Sequence, residues 1–176
     1  DIERTRTEIL QELDPNFAEA WAELGGMLSY SYRIDPNRSA ATMARAKAAI
    51  ETAVRLAPDL PEVMIAQGRY FASVDRDYER AIAQYEQVRR LYPNNAEAHF
   101  SLGTVARLKG RGADAVVHFR NAVRLDSGNN QYAVFLVNLL LAGYRYDEAN
   151  TELCRQLGLD PGNLRRGWLL ALNSFL

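Results

Sequence analysis

Three side chains in the sequence have the chemistry of catalytic or metal-binding groups. His99 and His118 are the only histidines, and Cys154 is the only cysteine. A cysteine nucleophile needs a neighbouring base, an orienting group and a pocket, and no motif marks the last two. The two histidines are too far apart for one helix face and lack the spacing of a metal site. We therefore predict no catalytic residue, no metal ligand and no cofactor, and we expect His99 to be packed in the core.

Other short motifs have simpler interpretations. Lys109-Gly-Arg-Gly112 has two glycines but neither the preceding strand nor the third glycine of a phosphate-binding loop, which favours a turn between helices. Asn37-Arg-Ser39 matches the weak and frequent N-glycosylation pattern. The pairs Arg89-Arg90 and Arg165-Arg166 have acidic neighbours and are typical of solvated faces, so no nucleic-acid partner is predicted.

Composition is that of an ordinary globular chain. The 176 residues are 48% hydrophobic and 24% charged, with a formal net charge of −1. This balance gives no reason to expect nucleic acid or an acidic membrane surface as a partner. The longest apolar run, 133–142, is interrupted by Asn138 and is too short to span a bilayer, so no membrane insertion is expected. The sequence favours a cytoplasmic over a periplasmic location. Both ends fall within helical patterns, which predicts a fragment of a longer protein.

The chain repeats itself with a period of about 34 residues, and such a period is typical of helical repeat proteins. Apolar residues recur at spacings of three and four, so each unit is predicted to form two amphipathic helices. Small residues should mark the places where the two helices approach closely, and larger ones should fill the space beside them. The small set is Gly68, Gly103, Ala81, Ala115 and Ala149, and the large set is Tyr85, Phe119 and Leu153.

These features resemble the tetratricopeptide repeat. Trp21-x2-Leu24-Gly25-x2-Leu28 is similar to the first-helix signature of that family, and 143–149 and 77–81 are similar to its second-helix start. The resemblance covers nearly the whole chain. It implies an all-α fold, a right-handed superhelix of antiparallel helix hairpins with about ten helices. It further resembles tetratricopeptide regions of bacterial signalling and regulatory proteins.

The repeat pattern divides the single array into six segments. Residues 1–15 are predicted to be the second helix of a preceding repeat. Repeats one to four are predicted at 16–60, 61–95, 96–129 and 130–163, and 164–176 is predicted to be the first helix of a further repeat or a capping helix. The distance from Pro15 to Pro58 is 43 residues, whereas the following intervals are 35 and 34. We therefore expect a nine-residue insertion between the helices of the first repeat and one extra residue in the second.

The insertion contains Tyr30, Tyr32 and the turn Asp35-Pro36-Asn37. Because a residue before proline disfavours helix, we predict a break at Asp35, with Asn37 or Ser39 capping the next helix. The tyrosines allow two interpretations, an aromatic lip for a partner or a longer helix packed on the next repeat. The second is favoured, since repeat arrays commonly absorb insertions in turns.

The resemblance also implies a concave groove lined by first helices, which would bind a protein or peptide partner. Arg69, Arg107 and Asn138 are predicted to bind a peptide carboxylate or backbone, with pairing of the arginines to Glu62 or Glu97 as the alternative. The predicted groove residues are Glu62, Ile65, Arg69, Phe100, Thr104, Arg107, Val134, Phe135, Asn138, Leu141, Arg165 and Trp168.

An apolar stripe near the C-terminus, Trp168, Leu172 and Phe175, allows three interpretations. It would pack on a further repeat, form a homodimer surface or hold a partner helix. The leading hypothesis for the whole chain is a non-enzymatic interaction scaffold within a larger bacterial regulatory protein. The alternative is a structural segment that self-associates through this stripe.

Overall fold

The computed structural model describes residues 14–158, and this part of the chain contains helices and no strand. The predicted all-α class is therefore confirmed. Eight α-helices follow one another within these residues: α1 Ala18–Ile34, α2 Ala40–Leu56, α3 Pro61–Tyr70, α4 Tyr78–Leu91, α5 Ala96–Leu108, α6 Gly112–Leu125, α7 Asn130–Ala142 and α8 Tyr146–Leu157. The helices predicted at 1–15 and 164–176 fall almost wholly outside the described residues.

The helices form four consecutive hairpins, α1–α2, α3–α4, α5–α6 and α7–α8, and each hairpin packs on the next. The core consists of apolar side chains from both helices of every hairpin, and it runs from Trp21 and Leu28 in the first to Leu136 and Leu140 in the last. No helix of the described residues is long and apolar enough to cross a bilayer.

Glycines set the distance between paired helices, as the small-residue pattern predicts. A Cβ added at Gly68 would lie 2.5 Å from the ring of Tyr85, and one at Gly103 would lie 2.6 Å from the ring of Phe119. Gly25 meets Ile50 in the first hairpin in the same way, at 2.6 Å. Such distances are far below van der Waals contact, so these helices can approach only where no side chain intervenes.

The fourth hairpin lacks this glycine. Val137 occupies the equivalent position of α7, and its side chain is buried at 6% exposure. A cleft of about 370 Å³ opens between α7 and α8 beside it, lined mainly by apolar side chains such as Ala133 and Leu153. A branched, buried side chain therefore fills the position that glycine holds in the other three hairpins.

The extra residues of the first repeat lengthen its helices more than its turn. Helices α1 and α2 each have 17 residues, against 13 in α5 and 14 in α6. The connecting turn spans 35–39, and the Asp35 carboxylate accepts hydrogen bonds from the backbone N–H groups of Asn37 and Ser39. Helix α1 ends at Ile34, as the proline predicts, and Ser39 caps α2 by accepting from Thr42 N.

The single extra residue of the second repeat has a different structural consequence. Helix α3 continues directly into a π-helical turn, Phe71–Asp75, and the chain then leaves through Arg76 in the left-handed region at φ 58°. A π-turn holds one more residue than an α-turn in the same length of helix. Asp77 then caps α4 by accepting from Arg80 N at 3.0 Å, so both neighbouring helices stay regular.

Candidate functional site

The first helices of the hairpins, α1, α3, α5 and α7, share one face of the molecule. Residues on this face line an open cavity of about 620 Å³, which we name the groove cavity. Its lining comes from all four first helices and from Asn95, the residue before α5. The lining residues are Glu19, Ala22, Glu23, Gly26, Met27, Tyr30, Ser31, Glu62, Ile65, Ala66, Arg69, Asn95, Glu97 and Gln131.

A polar network links three of these helices at one side of the cavity. Arg69 of α3 donates to Glu97 of α5 at 2.7 Å, and the Tyr132 hydroxyl of α7 donates to the other oxygen of Glu97 at 2.8 Å. Burial and the neighbouring Glu97 raise the pKa of Tyr132, so its hydroxyl remains protonated and able to donate. The carboxylate is thereby held by two donors from different hairpins.

The absence of a side chain at Gly26 of α1 leaves room for Arg69 in this network. A Cβ on Gly26 would lie 2.7 Å from Arg69 Nη1, so the guanidinium packs directly against the α1 backbone. Arg69 is therefore held between α1 and α5, with its side chain about 29% exposed. Of the two interpretations from the sequence, pairing of Arg69 with Glu97 is the one that the structure shows.

Tyr30 and Met27 line the end of the cavity that lies farther along α1. Their exposures are 47% and 37%, which makes them two of the larger accessible apolar side chains in the described residues. The Arg33 guanidinium lies 4.8 Å from the centre of the Tyr30 ring. The tyrosine thus belongs to a longer helix, as favoured, yet it faces the cavity instead of packing in the core.

Only some of the predicted groove residues among the described residues line the groove cavity. Glu62, Ile65 and Arg69 line the groove cavity. Thr104 donates its hydroxyl to Phe100 O one turn earlier at 3.0 Å, within its own helix. Arg107 and Leu141 are exposed at the surface, outside the groove cavity.

Phe100 and Phe135 belong to a cluster of four aromatic rings between α5, α6 and α7, together with Phe119 and Tyr132. The Phe100 and Phe135 ring centroids are 4.9 Å apart in an edge-to-face arrangement, and both residues are half-buried. Such pairs stabilise the contact between hairpins beyond the burial of their area. Their main observed role is therefore to join the third and fourth hairpins.

Val134 and Asn138 line the cleft between α7 and α8 instead of the groove cavity. The remaining predicted residues, Arg165, Trp168, Leu172 and Phe175, lie outside the described residues. The homodimer surface and the C-terminal half of the predicted groove therefore stay predictions.

Sequence reasoning missed Glu19, Glu23, Asn95 and Tyr132. A signal for two of them exists, since Glu19 and Glu23 are four residues apart and so share one face of α1. By the repeat spacing, the small residues Ala22, Gly26 and Ser29 of the first repeat are also predicted to lie on this face. That assignment is wrong for Ser29, which is fully buried and donates to Gly25 O at 2.7 Å.

The two histidines meet in the α5–α6 hairpin, with ring centroids 6.0 Å apart. His99 is buried, as expected, and neither Nδ1 has a hydrogen-bond partner among the described residues. Burial lowers the pKa of both imidazoles, and the neighbouring His118 lowers that of His99 further. Cys154 is buried in α8. No group of three or more metal-ligating side chains occurs in the part of the chain that the structure describes.

Comparison with known families identifies the repeat. Residues 72–130 match the family described as tetratricopeptide repeat, and they include most of the π-turn and all of α4, α5 and α6. Tetratricopeptide repeat sequence therefore lies in residues 72–130. The resemblance drawn from the residue pattern is therefore confirmed, and a helical repeat of this family is typical of protein–protein interaction scaffolds. None of the curated proteins matches the chain in sequence.

Solved structures extend this fold likeness beyond the matched residues. The tetratricopeptide protein TTC0263 of Thermus thermophilus is 20% identical, with a TM-score of 0.69 over 99% of this chain and 89% of its own. PilF of Pseudomonas aeruginosa is 18% identical, with a TM-score of 0.58 over 88% of this chain and 74% of its own. YrrB, described as a tetratricopeptide protein with an unusual peptide-binding site, is 20% identical, with a TM-score of 0.51 over 89% and 75%. At these identities the likeness concerns the fold alone.

Proposed function

We propose that this tetratricopeptide array is a non-enzymatic scaffold that binds a peptide segment of a partner protein in the concave groove of its first helices. The observation that carries the proposal is the groove cavity, which is open to solvent and lined by all four first helices of the described hairpins. Its volume of about 620 Å³ falls within the range of roughly 300–1,000 Å³ that is usual for ligand pockets.

The lining suits a peptide chain. Side-chain amides of Asn95 and Gln131 and the hydroxyl of Ser31 offer hydrogen-bonding groups for a peptide backbone, and Met27 and Tyr30 offer apolar surface. The Arg69–Glu97–Tyr132 network fixes the relative positions of three first helices, so this part of the site is organised before a partner arrives. The YrrB structure provides a parallel, since a peptide-binding site is described for that protein.

The proposal extends to the larger protein to which the array would belong. The similarity of the repeat phrases to bacterial tetratricopeptide regions, together with the bacterial fold relatives, supports a place within a larger bacterial regulatory protein. In that setting the array would bring the partner to an effector domain, and a cytoplasmic location is proposed with it.

The test is a selection of peptides from an unbiased random library on the purified chain, followed by affinity measurement with the enriched peptides. A blocked variant, Met27→Trp with Gln131→Trp, fills the cavity from two exposed lining positions. We expect it to weaken binding at least tenfold. The matched control, Arg90→Trp with Leu91→Trp, adds the same bulk on exposed positions of α4 and should bind like the unmodified chain.

Absence of any enriched peptide, or equal binding by the blocked and unmodified chains, would overturn the proposal. Circular dichroism of both variants checks that the helical fold is retained.

A further inference from the structure

The groove cavity carries an excess of negative charge. Four carboxylates line it, from Glu19, Glu23, Glu62 and Glu97, against the single cation of Arg69. Arg69 is paired with Glu97, so this cation is neutralised by a carboxylate of the same cavity. The remaining three glutamates are exposed and form no ion pair among the described residues.

Helix ends offset only part of this charge. Glu19 and Glu62 lie in the first turns of α1 and α3, where the helix dipole presents roughly half a positive charge. Glu23 lies one turn farther into α1, beyond the range of that effect. The cavity therefore stays negative, and an acidic partner segment would meet like charges that disfavour its binding.

Apolar surface lies directly beside these carboxylates. Ile65 and Ala66 form a buried floor, and Met27 and Tyr30 stand exposed at the side. Lysine and arginine side chains combine a long apolar stem with a charged end, so they can cover such a floor while the charge reaches a carboxylate. A neutral apolar segment would leave the three carboxylates facing it without compensation.

We infer that the occupant of the groove cavity is a basic segment of a partner protein, with lysine or arginine next to an apolar residue. This inference rests on the proposed function, because it names the chemical class of the peptide that the groove binds. Specificity then comes from the carboxylates of α1 and α3, and the apolar floor adds affinity that is insensitive to salt.

The same random library tests the inference, because it contains basic, acidic and neutral sequences without bias. We expect enriched peptides to carry a net positive charge. Raising sodium chloride from low to high concentration should weaken their binding, since salt screens exposed charges. A neutralised variant, with Glu19→Gln, Glu23→Gln and Glu62→Gln, should lose at least tenfold in affinity and most of the salt dependence.

A matched control removes the same number of acidic charges from the second helices, through Glu51→Gln, Glu79→Gln and Asp147→Asn. All three positions are exposed and none lines the groove cavity. This control should retain the affinity and the salt dependence of the unmodified chain, which separates a local effect from general attraction to an acidic protein.

The outcomes distinguish the basic-segment inference from the proposed peptide-binding function. Enrichment of acidic or neutral peptides whose binding the blocked variant abolishes would overturn the basic-segment inference and leave the proposed function standing. Enrichment of basic peptides that bind the neutralised and unmodified chains equally would also overturn the inference. Enrichment of no peptide would overturn both.

Discussion

At the scale of single residues, the two buried histidines of the third hairpin are expected to make the stability of the protein depend on pH. His99 and His118 face each other across α5 and α6, and their surroundings include Glu86 and Arg89 of α4. Further charges come from Arg111, which directly precedes α6, and from Asp114 and Arg124 of α6. Glu86 favours the protonated imidazoles, but burial outweighs it, and the pKa of both histidines lies below the ordinary 6.5.

This direction of the shift predicts a loss of stability in mild acid. The unfolded chain takes up protons as pH falls below about 6.5, whereas the folded imidazoles stay neutral until lower pH. The stabilising contribution is therefore complete above pH 6.5 and declines as pH falls toward the lowered folded values. We expect urea denaturation to give a smaller free energy of unfolding at pH 5.5 than at pH 7.5.

The double variant His99→Gln with His118→Gln is the control, because it removes every histidine of the chain. It should show little change between these two pH values. An equal decrease in the variant and in the unmodified chain would show that other groups cause the effect.

For Arg69, the residue type alone does not decide whether the side chain is paired within the protein or available to a partner. Its position on the first-helix face is predictable from the repeat spacing, and its role as a free cation for a carboxylate was one of two interpretations. The partner that decides between them, Glu97, is 28 residues away, and the contact exists because α3 and α5 stack side by side.

At the scale of helices and hairpins, glycine determines how closely two helices pair. Gly103 lies against Phe119 and His118, and a methyl group there would meet the ring at 2.6 Å and His118 Cβ at 3.2 Å. Phe119 is fully buried and its ring contacts Phe100 and Phe135, so it has little room to move away.

We therefore expect Gly103→Ala to lower the free energy of unfolding by about 1–3 kcal/mol, as overpacked core sites do. This loss should appear even though alanine is the better helix former by about 1 kcal/mol. Chemical denaturation measures the difference.

Gly112→Ala is the matched control in the same hairpin. A Cβ at Gly112 has no atom within 4 Å, so the substitution should be neutral or slightly stabilising. If both variants showed the same stability, close approach at Gly103 would not limit the hairpin.

The existence of these helices was predictable, whereas their exact lengths were not. Apolar spacing, prolines and capping residues such as Ser39 and Asp77 mark the helices along the chain. The extra residues in the first two repeats had no unique placement, because helix extension and a longer turn are both compatible with the local sequence. The structure shows longer helices in the first case and the Phe71–Asp75 π-turn in the second.

At the scale of the whole molecule, each hairpin is stabilised chiefly by its own pairing and by its neighbours in the stack. Such arrays unfold locally more readily than a domain with one central core, because no element contacts all others. The first and last described hairpins should therefore respond independently to a local defect.

Two matched substitutions test this independence. Ala46 of α2 and Ala149 of α8 are both buried, at 0% and 1% exposure, and replacement of either by leucine overpacks its own hairpin. We expect Ala149→Leu to speed amide hydrogen exchange in α7 and α8 while α1 and α2 stay protected. Ala46→Leu should have the opposite distribution. Equal acceleration in all helices by either variant would show a single cooperative unit.

The sequence by itself determined the helical hairpins, the repeat family and the burial of small and large residues at fixed positions. These features follow from local spacing and side-chain volume, which repeat along the chain. Only the tertiary structure decided that Arg69 is paired, that Phe100 and Phe135 join two hairpins, and that Glu19 and Glu23 contribute to an acidic cavity with Glu62. The physical reason is that charge and shape of the groove are sums over helices far apart in sequence, and stacking fixes which of their side chains meet.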